Sequence, residues 1–327
     1  MLSRTADHLF WMSRYTERAE NTARLLDVNV QTELLPQSSS EAERGWRSML
    51  SISELVPAYE QHHGGSTLVA RDVLDFMVRD PANPGSIYAC LQAARENARA
   101  VRGTLTTEVW EAHNDTWLEL QRMLKDKLLD RDPSRFFEWV KFRSHQSRGV
   151  TIGTMLKDEA FYFIRLGTHL ERADNTARIL DVKFHGNQEA IVTTPRRSRA
   201  ASADEAQKDF YHWAAVLRSV SAFETYRKVY RDVITPERVA ELLILNAAMP
   251  RSLAYCLNEV VHNLGKVANT QSSETQRRAG MLAAELHYGR IDDVFQTGLH
   301  GYLTRFLEKI STLGDRISRD FLVPLAA

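Results

Sequence analysis

Cysteine is nearly absent: Cys90 and Cys256 are the two in 327 residues. That excludes a disulfide scaffold and a cysteine-rich zinc module, and it fits a reducing compartment. Glycine and proline are scarce, at 15 and 9, which argues against turn-rich all-β folds and low-complexity disordered chains. Neither sign of charge is in excess, with 42 Lys+Arg against 42 Asp+Glu. Nucleic-acid binders carry a basic surplus, so no nucleic-acid partner is expected. Long apolar runs are missing too. The longest stretch without Asp, Glu, Lys or Arg is Pro81 to Ala94, 14 residues with two prolines, too short to span a bilayer. The opening MLSRTADHLFWMSRYTERAE carries charges inside its apolar part and does not read as a secretory signal. A cytoplasmic chain with no membrane partner is the expectation. GxGxxG, Walker, GxSxG and HExxH motifs are all lacking, so neither a cofactor nor a metal is expected.

What the chain does have is self-similarity. Residues 17–28 read ERAENTARLLDV and residues 171–182 read ERADNTARILDV, identical at ten of twelve positions. Pro84, Ser86, Cys90, Leu91 and Asn97 recur in the same spacing as Pro250, Ser252, Cys256, Leu257 and Asn263, and Trp46 finds its counterpart in Trp213. The matches keep their order, which reads as two tandem copies of one helical unit, 1–150 and 151–327, packed about a pseudo-two-fold axis. Apolar residues recur with helical period nearly throughout and no alternating run suggests a strand. Helices are expected near 3–32, 41–60, 67–80, 84–102, 104–130 and 133–147, then 155–185, 204–232, 236–246, 250–268, 273–288 and 298–320. The fold class is therefore all-α, as two tandem pseudo-equivalent bundles. The loops Gln31 to Glu43 and Gly186 to Asp204 follow the motif helices, and the second holds the basic cluster Arg196-Arg197-Ser198-Arg199, read as a solvated loop.

On a helical wheel Glu17, Glu20, Asn21, Arg24 and Asp27 form a polar arc of about 120°, while Met12, Tyr15, Ala19, Ala23 and Leu26 face the packing side. The pairs Glu20–Arg24 and Asp174–Arg178 sit at i,i+4. A solvent face drifts after duplication, and the flanks have drifted: residues 2–16 and 156–170 agree at two of fifteen positions. The retained motif calls for a specific constraint. Either it forms a buried polar network between the two copies, which fixes residue identity, or it forms a site. In the second case Arg18, Asn21 and Arg24 meet Arg172, Asn175 and Arg178 and bind carboxylates, while Glu17 and Glu171 move a proton or hold an amine. Glu259 and His262 have the spacing of a di-iron helix pair, but the first copy has Ala93 and Glu96 there, so no metal is read from them. Both cysteines read as buried small apolar residues, His62-His63 as surface, and the six tryptophans as core.

The duplicated motif, carried by MLSRTADHLFWMSRYTERAENTARLLDV and FIRLGTHLERADNTARILDV, resembles the alpha-E family, a bacterial helical family named for a Glu-Arg signature. Glu17-Arg18 and Glu171-Arg172 match the signature without departure. The resemblance implies association with ATP-grasp amide ligases and transglutaminase-like proteins. It implies an accessory or partner subunit of a peptide- or amide-forming system, binding a peptide or amino-acid-like molecule. A stand-alone acyl or aminoacyl transferase at the same residues, and a structural scaffold, stay open beside it.

Overall fold

The computed structural model describes residues 1–64, 68–192 and 203–322. Among these residues the chain is all-α, with no strand. The helices are α1 (Ser3–Glu33), α2 (Ser39–Ile52), α3 (Val56–His63), α4 (Ala70–Val78), α5 (Ile87–Ala100), α6 (Thr107–Lys125), α7 (Leu128–Arg131) and α8 (Pro133–Thr154). There follow α9 (Glu159–Val192), α10 (Ala203–Ser219), α11 (Phe223–Tyr230), α12 (Pro236–Ile244), α13 (Leu253–Lys266), α14 (Ser273–His287), α15 (Ile291–Gln296) and α16 (Leu299–Phe321). No helix among the described residues is long and apolar enough to cross a membrane.

Local chemistry starts these helices where the sequence places start signals. Asp132 and Thr235 cap the first turns of α8 and α12, each ahead of a proline at the first helical position. Ser86 and Ser252 accept from the amides of Ala89 and Tyr255, at 3.1 and 3.0 Å, and so start α5 and α13 identically. Ser38 and Glu41 close a capping box at α2, so the expected loop from Gln31 to Glu43 shrinks to five residues between α1 and α2. Three expected helices are each broken in two. The breaks follow left-handed, non-glycine residues: Glu54 at φ 57°, Lys127 at 54° and Ser221 at 53°. Such a conformation costs about 1–2 kcal/mol, which local sequence does not advertise, so tertiary packing imposes it. The basic cluster Arg196 to Arg199 lies outside the described residues.

Helices α1 and α9 form the axis of the molecule. They run side by side in the same direction: the Met1 amino group meets Glu159, and Glu17 meets Arg172. Around this pair α5 and α8 pack on α1, while α13 and α16 pack on α9. The crossing is close. A Cβ on Gly167 would fall well inside the 3.0 Å that real Cβ atoms keep, against Ser13 Oγ and the Phe10 carbonyl oxygen. Ser13 is the residue that corresponds to Gly167 in the first motif helix. Buried Leu9, Phe10, Met12, Ala19, Ala23 and Leu26 seal one side of α1, as do Leu166, Leu170, Ala173, Ala177 and Leu180 on α9. Cys90 and Cys256 are fully buried, and burial pushes both thiols up to about 12, so both are inert packing groups.

Candidate functional site

The polar arc of α1 does not face water. Glu17, Glu20, Asn21, Arg24 and Asp27 are all buried, because α5, α8 and α9 surround the helix. The two Glu-Arg pairs face each other and exchange partners. Arg172 donates to Glu17 through Nε and Nη2, at 2.9 and 2.8 Å. Arg18 donates to Glu171 through the same two atoms, at 2.6 and 3.1 Å. Each is a two-pronged guanidinium–carboxylate pair, the geometry in which a charge-assisted bond is strongest.

Further arginines complete the network. On one side Arg251, in the turn before α13, donates to Glu17 at 2.8 Å, to Asn21 Oδ1 at 2.9 Å and to Glu20 at 2.5 Å. Arg148 from α8 reaches both Glu17, at 3.0 Å, and Glu20. Ser144 donates to Glu20 at 2.7 Å, and Arg24 donates to it at 2.9 Å. On the other side Arg14 donates to Glu171 at 2.7 Å, while Arg178 pairs with Asp174 at 2.7 Å and with the exposed Glu54. Lys141 holds Asp27 at 2.7 Å. The i,i+4 pairs therefore form as the spacing suggests, but Arg24 and Arg178 do not meet across the axis. Asn175 does not face Asn21 as a partner, and the Nδ2 atoms of both are buried without a hydrogen bond.

Arg14, Arg148 and Arg251 were not legible as site residues. Arg251 had one trace: it stands between Pro250 and Ser252, where the matching Pro84-x-Ser86 element has Gly85. That exchange makes the two sides unequal. Glu20 is ringed by Arg24, Arg148 and Arg251, whereas the corresponding Asp174 has Arg178.

Electrostatics follow this asymmetry. Burial by itself would raise the Glu17 pKa, but Arg172, Arg251 and Arg148 outweigh it and hold the carboxyl at about 2. Burial is likewise outweighed at Glu20 by Arg251, the His145 hydrogen bond and Arg148, and at Glu171 by Arg14 and Arg18; both acids sit below the usual carboxylate range. At Asp174 burial prevails over Arg178 and the pKa is raised. A carboxylate at about 2 is fully ionised at neutral pH and too weak a base to take protons efficiently. Glu17 orients arginines.

A small cleft opens beside Glu17 and Arg148, lined also by Thr16, Ser147, Arg165 and Thr168. His113 lines it too, bonded to Ser147 at 3.1 Å, and burial holds its pKa down at about 4. Arg165 pairs with Glu259, which also lies 3.5 Å from His169. Glu259 thus serves an ion pair, and His262 packs near the Tyr162 ring instead. Among the described residues no group of three or more His, Cys, Asp and Glu could hold a metal.

These groups make stability pH-dependent. Buried His113 and His169 have lowered pKa values, so below the unfolded histidine value of 6.5 the unfolded chain binds protons that the native state does not, and stability falls. Glu17, Glu20 and Glu171 add to the fall as pH drops from the unfolded glutamate value of 4.5 through their depressed values, to about 2 for Glu17. Both effects have the same sign; Asp174, raised by burial, opposes them, but it is one group against five, so the urea midpoint is expected to fall below about pH 6.5. A midpoint independent of pH down to about 4 contradicts this assignment.

The sequence pattern of a family called Alpha-E, described as a predicted alpha-helical domain with a conserved ER motif, matches residues 1–322. The chain is 26% identical to an uncharacterized protein of Mycobacterium bovis and to one of Mycobacterium tuberculosis strain CDC 1551, and 25% identical to one of strain H37Rv. Each match covers 94% of this chain and 35% of the relative, so the chain spans about a third of the length of these relatives. No solved structure matches the chain significantly.

Proposed function

The chain belongs to the Alpha-E family, and from that premise we propose that it is an accessory or partner subunit of an ATP-grasp-dependent peptide- or amide-forming system. The anionic end of a peptide or amino-acid-like molecule docks on the Glu-Arg network. One observation carries the docking: the network holds more positive than negative charge. Arg14, Arg18, Arg24, Arg148, Arg172, Arg178 and Arg251 face Glu17, Glu20, Glu171 and Asp174, with Glu54 as a solvated fifth acid. The surplus reaches solvent at its edges, where the side chains of Arg18 and Arg148 are 33% and 23% exposed. Guanidinium groups held by buried carboxylates are preorganised for a further carboxylate. The buried arginines position, and Arg18 and Arg148 bind. The length of the relatives beyond the match supports a role beside another protein, and the resemblance to alpha-E supplies the ATP-grasp and transglutaminase-like partners.

The proposal includes the origin of the fold in two tandem copies, 1–150 and 151–327. The reciprocal Glu17–Arg172 and Arg18–Glu171 pairs and the identically capped α5 and α13 support it. A second reading, a structural scaffold with the motif as a buried lock, is favoured by the near-complete burial of Glu17 and Glu20, at 1% and 0% exposure. A transferase that uses Glu17 as its base is disfavoured by that residue's strongly depressed pKa.

Arg18→Ala and Arg148→Ala separate the first two readings. Each is expected to weaken peptide or amino-acid binding roughly tenfold, as for the loss of one charged hydrogen-bonding partner, with stability changed by about 1 kcal/mol. Calorimetric titration, with ATP consumption by the co-purified ATP-grasp protein, reads the first effect, and urea unfolding reads the second. Binding and ATP turnover that are indifferent to both substitutions leave the scaffold reading.

A further inference from the structure

Far along the chain from the motif, α14, α15 and α16 line an open cleft of about 270 Å³. Its floor is apolar: Leu282, Val294 and Phe306 are 5%, 4% and 3% exposed. Its rim is charged with both signs. Helices α14 and α16 run antiparallel, since Glu285 pairs with Lys309 at 2.6 Å while Thr275 meets Arg316. Arg305, one turn before Lys309, therefore comes level with Gly289, one turn beyond Glu285. A Cβ on Gly289 would lie 2.8 Å from the Glu285 carbonyl oxygen and 3.3 Å from Leu245 Cδ2. Glycine lets the chain leave α14 at this tight point and carry Arg290 to the rim.

Neither arginine is held by a close ion pair. Arg305 makes no ion pair among the described residues. Arg290 has Asp292 at 4.0 Å, with both side chains about three-quarters exposed. Tyr302 lines the same wall, and burial pushes its phenol up to about 12, so its hydroxyl remains a donor at neutral pH. Asp293 also lines the cleft, and Lys309 is already occupied by Glu285.

We propose that this cleft binds a free α-amino acid with an apolar side chain: its carboxylate lies between Arg290 and Arg305, its ammonium faces Asp293, and its side chain covers Leu282, Val294 and Phe306. Three facts select that class. The volume falls just below the roughly 300–1,000 Å³ of sites that take drug-sized ligands, so the occupant is small. The floor repays burial of an apolar body at about 25 cal/mol per Å². The acids on the rim disfavour a doubly charged phosphate and suit a zwitterion. The inference is independent of the reading of the Glu-Arg network, because it uses none of those residues.

Isothermal titration of the full chain with leucine, valine and phenylalanine, each up to about 10 mM, tests it. Saturable binding is expected for at least one of them. The amide of that amino acid, which lacks the carboxylate charge, and its N-acetyl derivative, which lacks the ammonium, should each bind at least about tenfold more weakly. Arg305→Ala should weaken binding by a similar factor, and Arg18→Ala should leave it unchanged. Arg305 is exposed, so the variant folds, and equal urea midpoints verify that. Absence of saturable binding, an amide that binds as well as the acid, or an Arg305→Ala variant that binds like the parent chain overturns the proposal. Binding lost in Arg18→Ala instead of Arg305→Ala assigns the ligand to the motif and overturns it equally.

Discussion

Glu17→Gln is expected to lower the free energy of unfolding by about 3–5 kcal/mol, the range for removing one partner of a buried ion pair. The reason lies in what remains. Glu17 takes bonds from Arg172, Arg251 and Arg148, and guanidinium groups do not deprotonate in proteins. Glutamine keeps an acceptor oxygen but loses the charge, so Arg172, at 7% exposure, loses its carboxylate partner, and Arg251, at 5%, is left with Glu20. Natural domains are stable by about 5–15 kcal/mol, so this one change consumes a large part of the margin. Chemical denaturation followed by circular dichroism measures it. Adding Glu171→Gln is expected to deepen the loss further, because Glu171 holds a different set of arginines, Arg14 and Arg18. Unchanged stability in the double variant would falsify the lock and move the motif into a purely ligand-facing role. The comparison with Arg18→Ala and Arg148→Ala is informative because those side chains lie at the solvated edge.

Gly167→Ala carries the second large effect, and its sign opposes local propensity. Within a helix alanine is favoured over glycine by about 1 kcal/mol, so a surface glycine would give a gain. At Gly167 the new methyl would meet Ser13 Oγ and the Phe10 carbonyl oxygen. The hydroxyl can rotate away, but the carbonyl belongs to the backbone of α1 and cannot. Helices α1 and α9 must then separate, and separation stretches the Glu17–Arg172 and Arg18–Glu171 bonds one turn further on. Overpacking of this kind costs about 1–3 kcal/mol and sometimes more; with the propensity gain overcome, a net loss of about 2 kcal/mol or more is expected. Ser13→Gly in the same chain should recover part of the loss, since it removes the hydroxyl contact and leaves the carbonyl in place. A Gly167→Ala chain as stable as the parent would mean that α1 and α9 do not cross closely there.

Much of the architecture was open to reading in the residues. Helical periodicity and capping signals located the principal helices because both are local: a proline after Asp132, or a serine at the start of α5, acts within one turn. The all-α class and the burial of Cys90 and Cys256 came from the same local rules. The retained Glu-Arg motif marked α1 and α9 as constrained, and the i,i+4 pairs could be drawn on a wheel. The breaks after Ile52, Lys125 and Ser219 could not, because non-glycine residues in left-handed conformation are chosen by packing and leave no compositional trace.

The site divides in the same way. The kinds of charge at Glu17, Arg18, Glu171 and Arg172 were visible, and so was the idea that the two motifs meet. Their burial was one of two readings, since a retained motif calls for either a buried network or a site, and only the helices laid against the arc bury it. Arg148 and Arg251 lie 131 and 234 residues from Glu17, and no periodic pattern links positions so far apart. The sequence settled which residues carry charge and which helices carry them. The tertiary structure decided that these charges are paired across the α1–α9 axis, and which arginines are left over at its edge. Pairing in a low-dielectric interior is a matter of ångströms between distant segments, and that distance exists only once the helices have packed.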